Sequence, residues 1–111
     1  MTPNKVIEIV DSVKPNSYDE ETKLRWINEL DGLVKRLVVQ NDDVTPLYYP
    51  DDMDRELFIS PPYEDVYQFY VEAKIDYYNK EFENYNNSVA VFEARFLEFK
   101  KDYIRRYRAK G

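Results

Sequence analysis

The sequence predicts an all-α fold: a small bundle of about four helices, with a long C-terminal helical hairpin and one long loop between helices 2 and 3. Apolar residues recur every three or four positions along most of the chain, which is the period of an amphipathic helix. Residues that start or stop helices separate these stretches. A chain of 111 residues can bury one modest core, so we expect a single domain over residues 1–111.

The first predicted helix is short. Thr2 is its N-cap and Pro3 its first residue, where the N–H that proline lacks would have no partner in any case. Pro15 ends the helix, because the residue before a proline is disfavoured in the helical conformation. The apolar side consists of Val6, Ile7, Ile9, Val10 and Val13.

The second predicted helix begins after Ser17 or Asp19, either of which can cap it, and Glu20 follows Ser17 at capping-box spacing. Gly32 lies inside the apolar pattern, where a glycine costs about 1 kcal/mol relative to alanine. A close helix crossing would explain its presence. The apolar stripe comprises Leu24, Trp26, Ile27, Leu30, Leu33, Val34 and Leu37.

Residues 40–60 interrupt the helical pattern with acidic and turn-forming residues. A loop of this length in a compact domain is more often functional, or part of an interface, than idle. Two short apolar runs in it can pair as small strands or attach the loop to the core. They are Leu47, Tyr48 and Tyr49, and Leu57, Phe58 and Ile59.

The C-terminal hairpin is predicted from two further helices. Ser60 is expected to cap the third, which continues through Pro61 and Pro62 to Tyr85. The turn is placed at Asn86-Asn87, because asparagine both caps helices and tolerates left-handed angles. The last helix carries a heptad-like seam that predicts packing against the third. Its members are Val89, Phe92, Phe96, Phe99 and Tyr103.

Tyrosine is unusually abundant, with eleven residues beside six phenylalanines. Each tyrosine hydroxyl has to reach water or a hydrogen-bond partner, so many of these rings belong at a boundary. Two interpretations remain open, the rim of an ordinary core and a subunit interface. The residues expected at such an aromatic interface are Tyr63, Tyr67, Tyr70, Tyr77 and Tyr78.

Charge is distributed unevenly along the chain. Residues 100–111 hold six basic residues and one acidic residue, a local charge of +5, so residues 1–99 carry −11 of the total of −6. The basic tail can satisfy the helix dipole, bind nucleic acid, or dock on a protein. Protein docking is favoured over DNA, because the acidic body would repel a duplex. The candidate docking residues are Lys100, Lys101, Tyr103, Arg105, Arg106, Tyr107, Arg108 and Lys110.

The composition argues against an enzyme. The chain has no histidine and no cysteine, which removes the commonest general base, the thiolate nucleophile and the usual zinc ligands. Two glycines cannot form a phosphate-binding loop. The acidic loop lacks the glycine turn and the terminal glutamate of a calcium-binding EF-hand. We therefore expect no catalytic residue, no cofactor and no metal site, and solvated turns or an electrostatic contact surface at the acidic loop.

Membrane association is not expected either. The N-terminus lacks a basic-then-apolar signal pattern, and no apolar run approaches the roughly 20 residues that span a bilayer. The absence of cysteine fits a protein that is intracellular or assembled inside a cell.

Four stretches resemble a family of small proteins from tailed phages and prophages of Gram-positive bacteria. They are VKPNS (13–17), KLRWINEL (23–30), SPPYEDVY (60–67) and IDYYNKEFENYNNS (75–88). This family is similar to the helical head–tail connector, or adaptor, proteins. The resemblance covers most of the chain except the acidic loop and the tail, and the loop is longer than in a minimal adaptor.

The resemblance implies a structural protein whose copies form a ring beneath the portal and extend the DNA exit channel. Its partners would be the portal protein, neighbouring copies and a downstream connector or tail-completion protein, with DNA only as passing cargo. The basic tail would dock on the portal, and the loop would meet a neighbouring subunit or the next ring. The protein would be assembled in the host cytoplasm and lie at the head–tail interface of the virion.

Two alternatives belong to other functional classes. The chain can be a DNA-binding or packaging-accessory protein that uses the basic tail, or a helical protein-interaction module. Steep salt dependence of DNA binding distinguishes the first alternative.

Overall fold

Within residues 1–41 and 48–108 the chain folds into four α-helices, in the order α1 (Pro3–Val13), α2 (Glu20–Val34), α3 (Asp65–Tyr78) and α4 (Phe82–Tyr103). A computed structural model gives the structure of residues 1–41 and 48–108. These residues contain no β-strand, so the all-α prediction is confirmed and the strand pair is not formed by the described part of the loop. The helices α3 and α4 form the predicted hairpin, and α1 and α2 pack against α3.

Local sequence signals account for the starts of α1 and α2. The Thr2 hydroxyl accepts a hydrogen bond of 3.2 Å from the Lys5 N–H, as predicted for the N-cap of α1. Of the two candidates for α2, Asp19 is the cap, and its carboxylate accepts a 2.8 Å bond from the Thr22 N–H. Hydrogen bonds from the side chain and the N–H of Thr22 lower the pKa of Asp19, because they stabilise its charged form.

The second helix changes its winding at its C-terminal end. A π-helical segment, Lys35–Val39, continues α2 and ends at Gln40 in the left-handed conformation. The wider turn places Val38 in the core, whereas Leu37, which was predicted for the apolar stripe, is 47% exposed. Leu33 is also exposed, because it lies off the stripe of the regular helix that Leu30 and Val34 bury.

The third helix begins later than the sequence predicts. Ser60 is not its cap; α3 starts at Asp65, and residues 60–64 form successive turns. The N–H of Tyr63 donates to the Ser60 carbonyl and that of Val66 to the Tyr63 carbonyl, both at 3.1 Å. The physical reason is that Ser60 and Pro61 each precede a proline, which disfavours the helical conformation at both positions. The Pro61-Pro62 peptide bond is cis.

The hairpin turn also lies earlier than predicted. It occupies residues 79–81, and Asn86 and Asn87 are inside α4. Lys80 adopts the left-handed conformation with φ 59°. The Lys80 N–H donates to the Tyr77 carbonyl at 3.0 Å, and the Glu81 N–H donates to the Asp76 carbonyl at 2.9 Å. These two bonds are those of a Schellman motif, in which glycine usually takes the place of Lys80.

The predicted phenylalanine seam of α4 faces the core. Phe99 is buried, and Phe92, Phe96 and Tyr103 pack against the core while partly accessible. On the opposite side of the core, Trp26 is 1% exposed and stacks on Tyr78 with ring centroids 5.7 Å apart. Aromatic rings therefore line the core along α4, whereas the core residues of α1 and α2 are aliphatic except for Trp26.

Candidate interaction surfaces

A buried polar network holds the described part of the long loop against the core. The Tyr67 hydroxyl donates a 2.6 Å hydrogen bond to Asp31 of α2 and accepts one of 2.9 Å from the Ile59 N–H. Burial raises the pKa of Asp31 to about 6 and raises that of Tyr67 well above its usual range, because water cannot solvate the charged forms. The network thus joins α2, α3 and the loop at one point.

Three of the predicted inter-subunit loop residues belong to the core. Tyr48, Leu57 and Ile59 are 4%, 6% and 1% exposed, so they cannot contact another subunit without leaving the core. The Asn28 side chain holds Tyr48 in place by hydrogen bonds to both of its backbone groups, and the Ile59 N–H donates to the buried Tyr67 hydroxyl. Of the other predicted loop residues, Tyr49 and Phe58 are exposed, and Leu47 lies outside the described residues together with Asp42 and Asp43.

The aromatic interface predicted on α3 divides into buried and exposed residues. Tyr67 is fully buried, which corrects its assignment to an interface: its hydroxyl is satisfied inside the core. Tyr63 and Tyr70 are half-buried, and Tyr70 donates to Glu29 at 3.1 Å. Tyr77 and Tyr78 are each about half exposed. The interface therefore stays a prediction for four of the five residues, Tyr63, Tyr70, Tyr77 and Tyr78.

The basic end of the chain is a helical continuation of α4. A π-helical segment, Ile104–Arg108, follows directly, and Tyr103 and Tyr107 lie with ring centroids 4.7 Å apart. Arg105 and Arg106 both donate to the carboxylate of Asp102, at 2.6 and 3.2 Å. Tyr107 is 67% exposed. Among the other predicted docking residues, Lys101 is exposed and Lys100 half-buried, while Lys110 and the Arg108 side chain lie outside the described residues.

One pocket is lined by residues from all three predicted sets: the docking residues of the basic tail, the loop residues and the aromatic-interface residues. We call it the basic-end pocket. It has a volume of about 260 Å³ and lies between the turns at residues 58–63 and the end of α4. Phe58 lies 6.4 Å from Tyr103, and Tyr63 lies 6.0 Å from Phe99, between ring centroids. The pocket presents aromatic rings, proline and an arginine together. Its lining includes Phe58, Pro62, Tyr63, Tyr103, Arg106 and Tyr107.

Arg95 of α4 is a structural residue of this region that the sequence patterns did not reveal. Its guanidinium donates to both carboxylate oxygens of Asp65, at 2.9 and 3.2 Å, and to the Pro62 carbonyl at 2.7 Å. It also lies 4.8 Å from the centroid of the Tyr63 ring. The hydrogen bond with Asp65 raises the pKa of Arg95. The only sequence signal for it was a single cation beside the phenylalanine seam. In the structure Arg95 holds Pro62 and Tyr63, which line the pocket.

A second groove lies between α2 and the hairpin. It has a volume of about 500 Å³ and contains Gly32, Leu33 and Tyr70, with Arg25 and Arg36 at its edge. Gly32 is helical, as predicted, and its missing side chain contributes to the opening of this groove. The groove is therefore a second surface where a partner can cover exposed apolar groups such as the Leu33 side chain.

Two kinds of site are not found in the described structure. Within residues 1–41 and 48–108, no group of three or more acidic side chains is placed to hold a metal ion. No helix in the same residues has the length and hydropathy needed to cross a membrane. Asp51, Asp52 and Asp54 of the acidic loop instead belong to exposed turns around the 3-10 turn Pro50–Asp52.

Comparison with known proteins yields no match: no protein-family model, no curated protein and no solved structure is similar to the chain.

Proposed function

We propose that this chain is a non-enzymatic head–tail connector protein of a tailed phage or prophage, which docks on the portal through the basic-end pocket. The observation that carries the proposal is the meeting of exposed aromatic rings and arginines at the end of the longest helix. Aromatic rings and arginine are the side chains that contribute most to protein–protein binding energy. The resemblance of four stretches to connector proteins supplies the biological context.

In this proposal several copies form a ring at the head–tail interface of the virion after assembly in the host cytoplasm. The ring extends the DNA exit channel and gives a downstream connector or tail-completion protein a surface for docking. DNA passes as cargo, and the net charge of −11 on residues 1–99 keeps it from adhering. Tyr77 and Tyr78 are candidates for the contact between neighbouring copies, because each exposes about half of its surface.

DNA binding by the basic end is the second candidate function. The neighbouring rings of Tyr103 and Tyr107, tilted by 45° to each other and beside arginines, favour it, since base stacking and phosphate contacts are the two components of single-strand binding. The ion pairs that Asp102 makes with both Arg105 and Arg106 argue against it, because they reduce the charge available to phosphates. Tail-driven DNA binding should weaken steeply as salt is raised, and no binding at low salt eliminates this candidate.

Portal binding is tested with the full chain and the portal protein encoded in the same genome. A variant carrying Arg105→Gln, Arg106→Gln and Tyr107→Ala removes the exposed groups of the basic end. The matched control carries Arg25→Gln, Arg36→Gln and Tyr49→Ala, which changes the same residue types at exposed positions elsewhere. We expect the first variant to bind at least about tenfold more weakly and the control to bind like the natural chain. Equal affinities for the two variants would refute the docking assignment.

A further inference from the structure

The side of α4 that faces away from the core carries a second heptad-spaced row, which we call the outer seam. Its members lie four, three, four, three and four residues apart, and every one is exposed. Leu97 is 49% exposed, and Val91 beside the row is equally exposed. The row is an unpartnered helix face with an apolar centre and charged ends. It consists of Glu83, Asn87, Ala90, Ala94, Leu97 and Lys101.

The charges at the two ends of the outer seam are unpaired. Neither Glu83 nor Lys101 has an ion-pair partner in the described part of the chain, although Glu98, Asp102 and Arg105 near the seam do have partners. Glu83 precedes Phe92 by as many residues as Lys101 follows it. The seam therefore has opposite charges at equal distances from its centre.

We propose that two copies of this chain pair antiparallel through the outer seam of α4. A two-fold axis at the level of Phe92 places Glu83 of each copy opposite Lys101 of the other. The same axis places Asn87 opposite Leu97 of the second copy and Ala90 opposite Ala94 of the second copy. The seam then forms two ion pairs at its ends, and the short alanine side chains at its centre let the helices approach closely.

The charges select this orientation over the parallel one. A parallel pair places Glu83 beside Glu83 and Lys101 beside Lys101, which repels at both ends of the seam. The apolar centre is short, so the dimer is weak and depends on concentration. A two-fold contact also closes on itself and differs from the head-to-tail contact of a ring. The dimer therefore belongs to the free chain, and the inference does not depend on portal docking.

Charge reversal tests the pairing in sedimentation equilibrium of the full chain at low salt. Glu83→Lys alone and Lys101→Glu alone each replace two attractive pairs by two repulsive ones, so each should weaken dimerisation about tenfold. Mixing the two single variants restores both ion pairs across the dimer and should restore its stability. Lys5→Glu on α1 changes the charge equally and should leave the dimer unchanged. A monomer at every concentration, or no rescue on mixing, would overturn the proposal.

Single cysteines test the orientation, because the chain has no cysteine of its own. Antiparallel pairing places Asn87→Cys of one copy next to Leu97→Cys of another, so oxidation of the mixed variants should link unlike chains. Parallel pairing would instead link Leu97→Cys to itself, and that result would contradict the inference. Both positions are exposed, so circular dichroism should show native helix content in the single variants.

Discussion

Asp31 is the buried carboxyl group on which the loop depends. It is 2% exposed, and its principal partner is the Tyr67 hydroxyl at 2.6 Å. Burial raises its pKa from 3.8 to about 6, and the hydrogen bond from Tyr67 opposes this only in part. Asp31 is therefore an ionisable group whose charged form destabilises the folded chain.

The resulting pH dependence has a definite sign. Between about pH 4 and pH 6 the folded chain keeps a proton on Asp31 that the unfolded chain has lost, so stability falls as the pH rises through this range. The pKa difference corresponds to about 3 kcal/mol. Asn cannot ionise, so Asp31→Asn does not lose stability in this way. The free energy of unfolding of the variant, relative to that of the natural chain, should therefore increase from pH 4 to above pH 6. Urea denaturation at several pH values measures this difference, with Asp51→Asn at an exposed position as the control. If the free energies of unfolding of Asp31→Asn and the natural chain changed in parallel with pH, the prediction would be contradicted.

A second buried carboxylate connects three helices. Asp76 of α3 is fully buried and accepts hydrogen bonds from the Lys14 ammonium group at 2.7 and 2.8 Å. The Ser88 hydroxyl of α4 donates to the same carboxylate at 2.6 Å. The end of α1 is thereby fixed to the hairpin near its turn.

Removing the cation from this group should be costly. Lys14→Met leaves the Asp76 carboxylate buried without its ion-pair partner, and we expect a loss of about 3 kcal/mol in the free energy of unfolding. Lys5→Met breaks the exposed pair with Glu8 and should change stability by no more than about 0.5 kcal/mol. Chemical denaturation measures both, and a Lys14→Met loss as small as that of the control would show that the buried pair is unimportant.

The hairpin turn predicts a stabilising substitution. Lys80 holds φ at 59°, where a residue with a Cβ is strained and glycine is not. Lys80→Gly should therefore raise the free energy of unfolding by about 0.5–1 kcal/mol, the relief of strain exceeding the added entropy of the unfolded chain. Lys5→Gly, in the regular helix α1, should lower it by about 1 kcal/mol. Thermal unfolding measures both changes, and a destabilised Lys80→Gly would contradict the assignment of strain.

The elements that depend on local chemistry were predictable, and those that depend on distant contacts were not. Thr2 caps α1 as predicted, because a cap needs only a hydroxyl and a nearby N–H. The hairpin turn was misplaced because Lys80 carries no sequence signal for left-handed angles, whereas Asn86 and Asn87 imitate one. The burial of Tyr48 depends on Asn28, twenty positions away in the chain, and no pattern in the sequence links the two.

At the scale of the whole molecule, the residues of the candidate site were predictable from the sequence, but the way they come together was not. The sequence identified the basic tail, the apolar loop residues and the tyrosines as three separate sets. Their meeting at the basic-end pocket depends on how the turns at residues 58–63 pack against α4, a contact between distant parts of the chain. Arg95, which binds those turns, was not identified, because a lone cation beside the phenylalanine seam does not indicate which distant groups it contacts.

The pocket lies at the C-terminal end of the longest helix in the described structure. The helix α4 and its π-helical continuation run for about 40 Å at 1.5 Å per residue. The molecule measures 46 × 33 × 23 Å, so this helix follows its longest dimension and its basic end lies near one extremity. A charged, aromatic extremity on an acidic body gives the chain a direction, as a connector between two unlike partners requires.

Electron microscopy of the portal ring incubated with the full chain tests the proposed function. We predict added density at the tail-facing end of the portal, repeated around its axis, and loss of this density with the variant Arg105→Gln, Arg106→Gln and Tyr107→Ala. The exposed control Arg25→Gln, Arg36→Gln and Tyr49→Ala should keep it. Portal rings without added density at saturating concentrations of the natural chain would contradict the account.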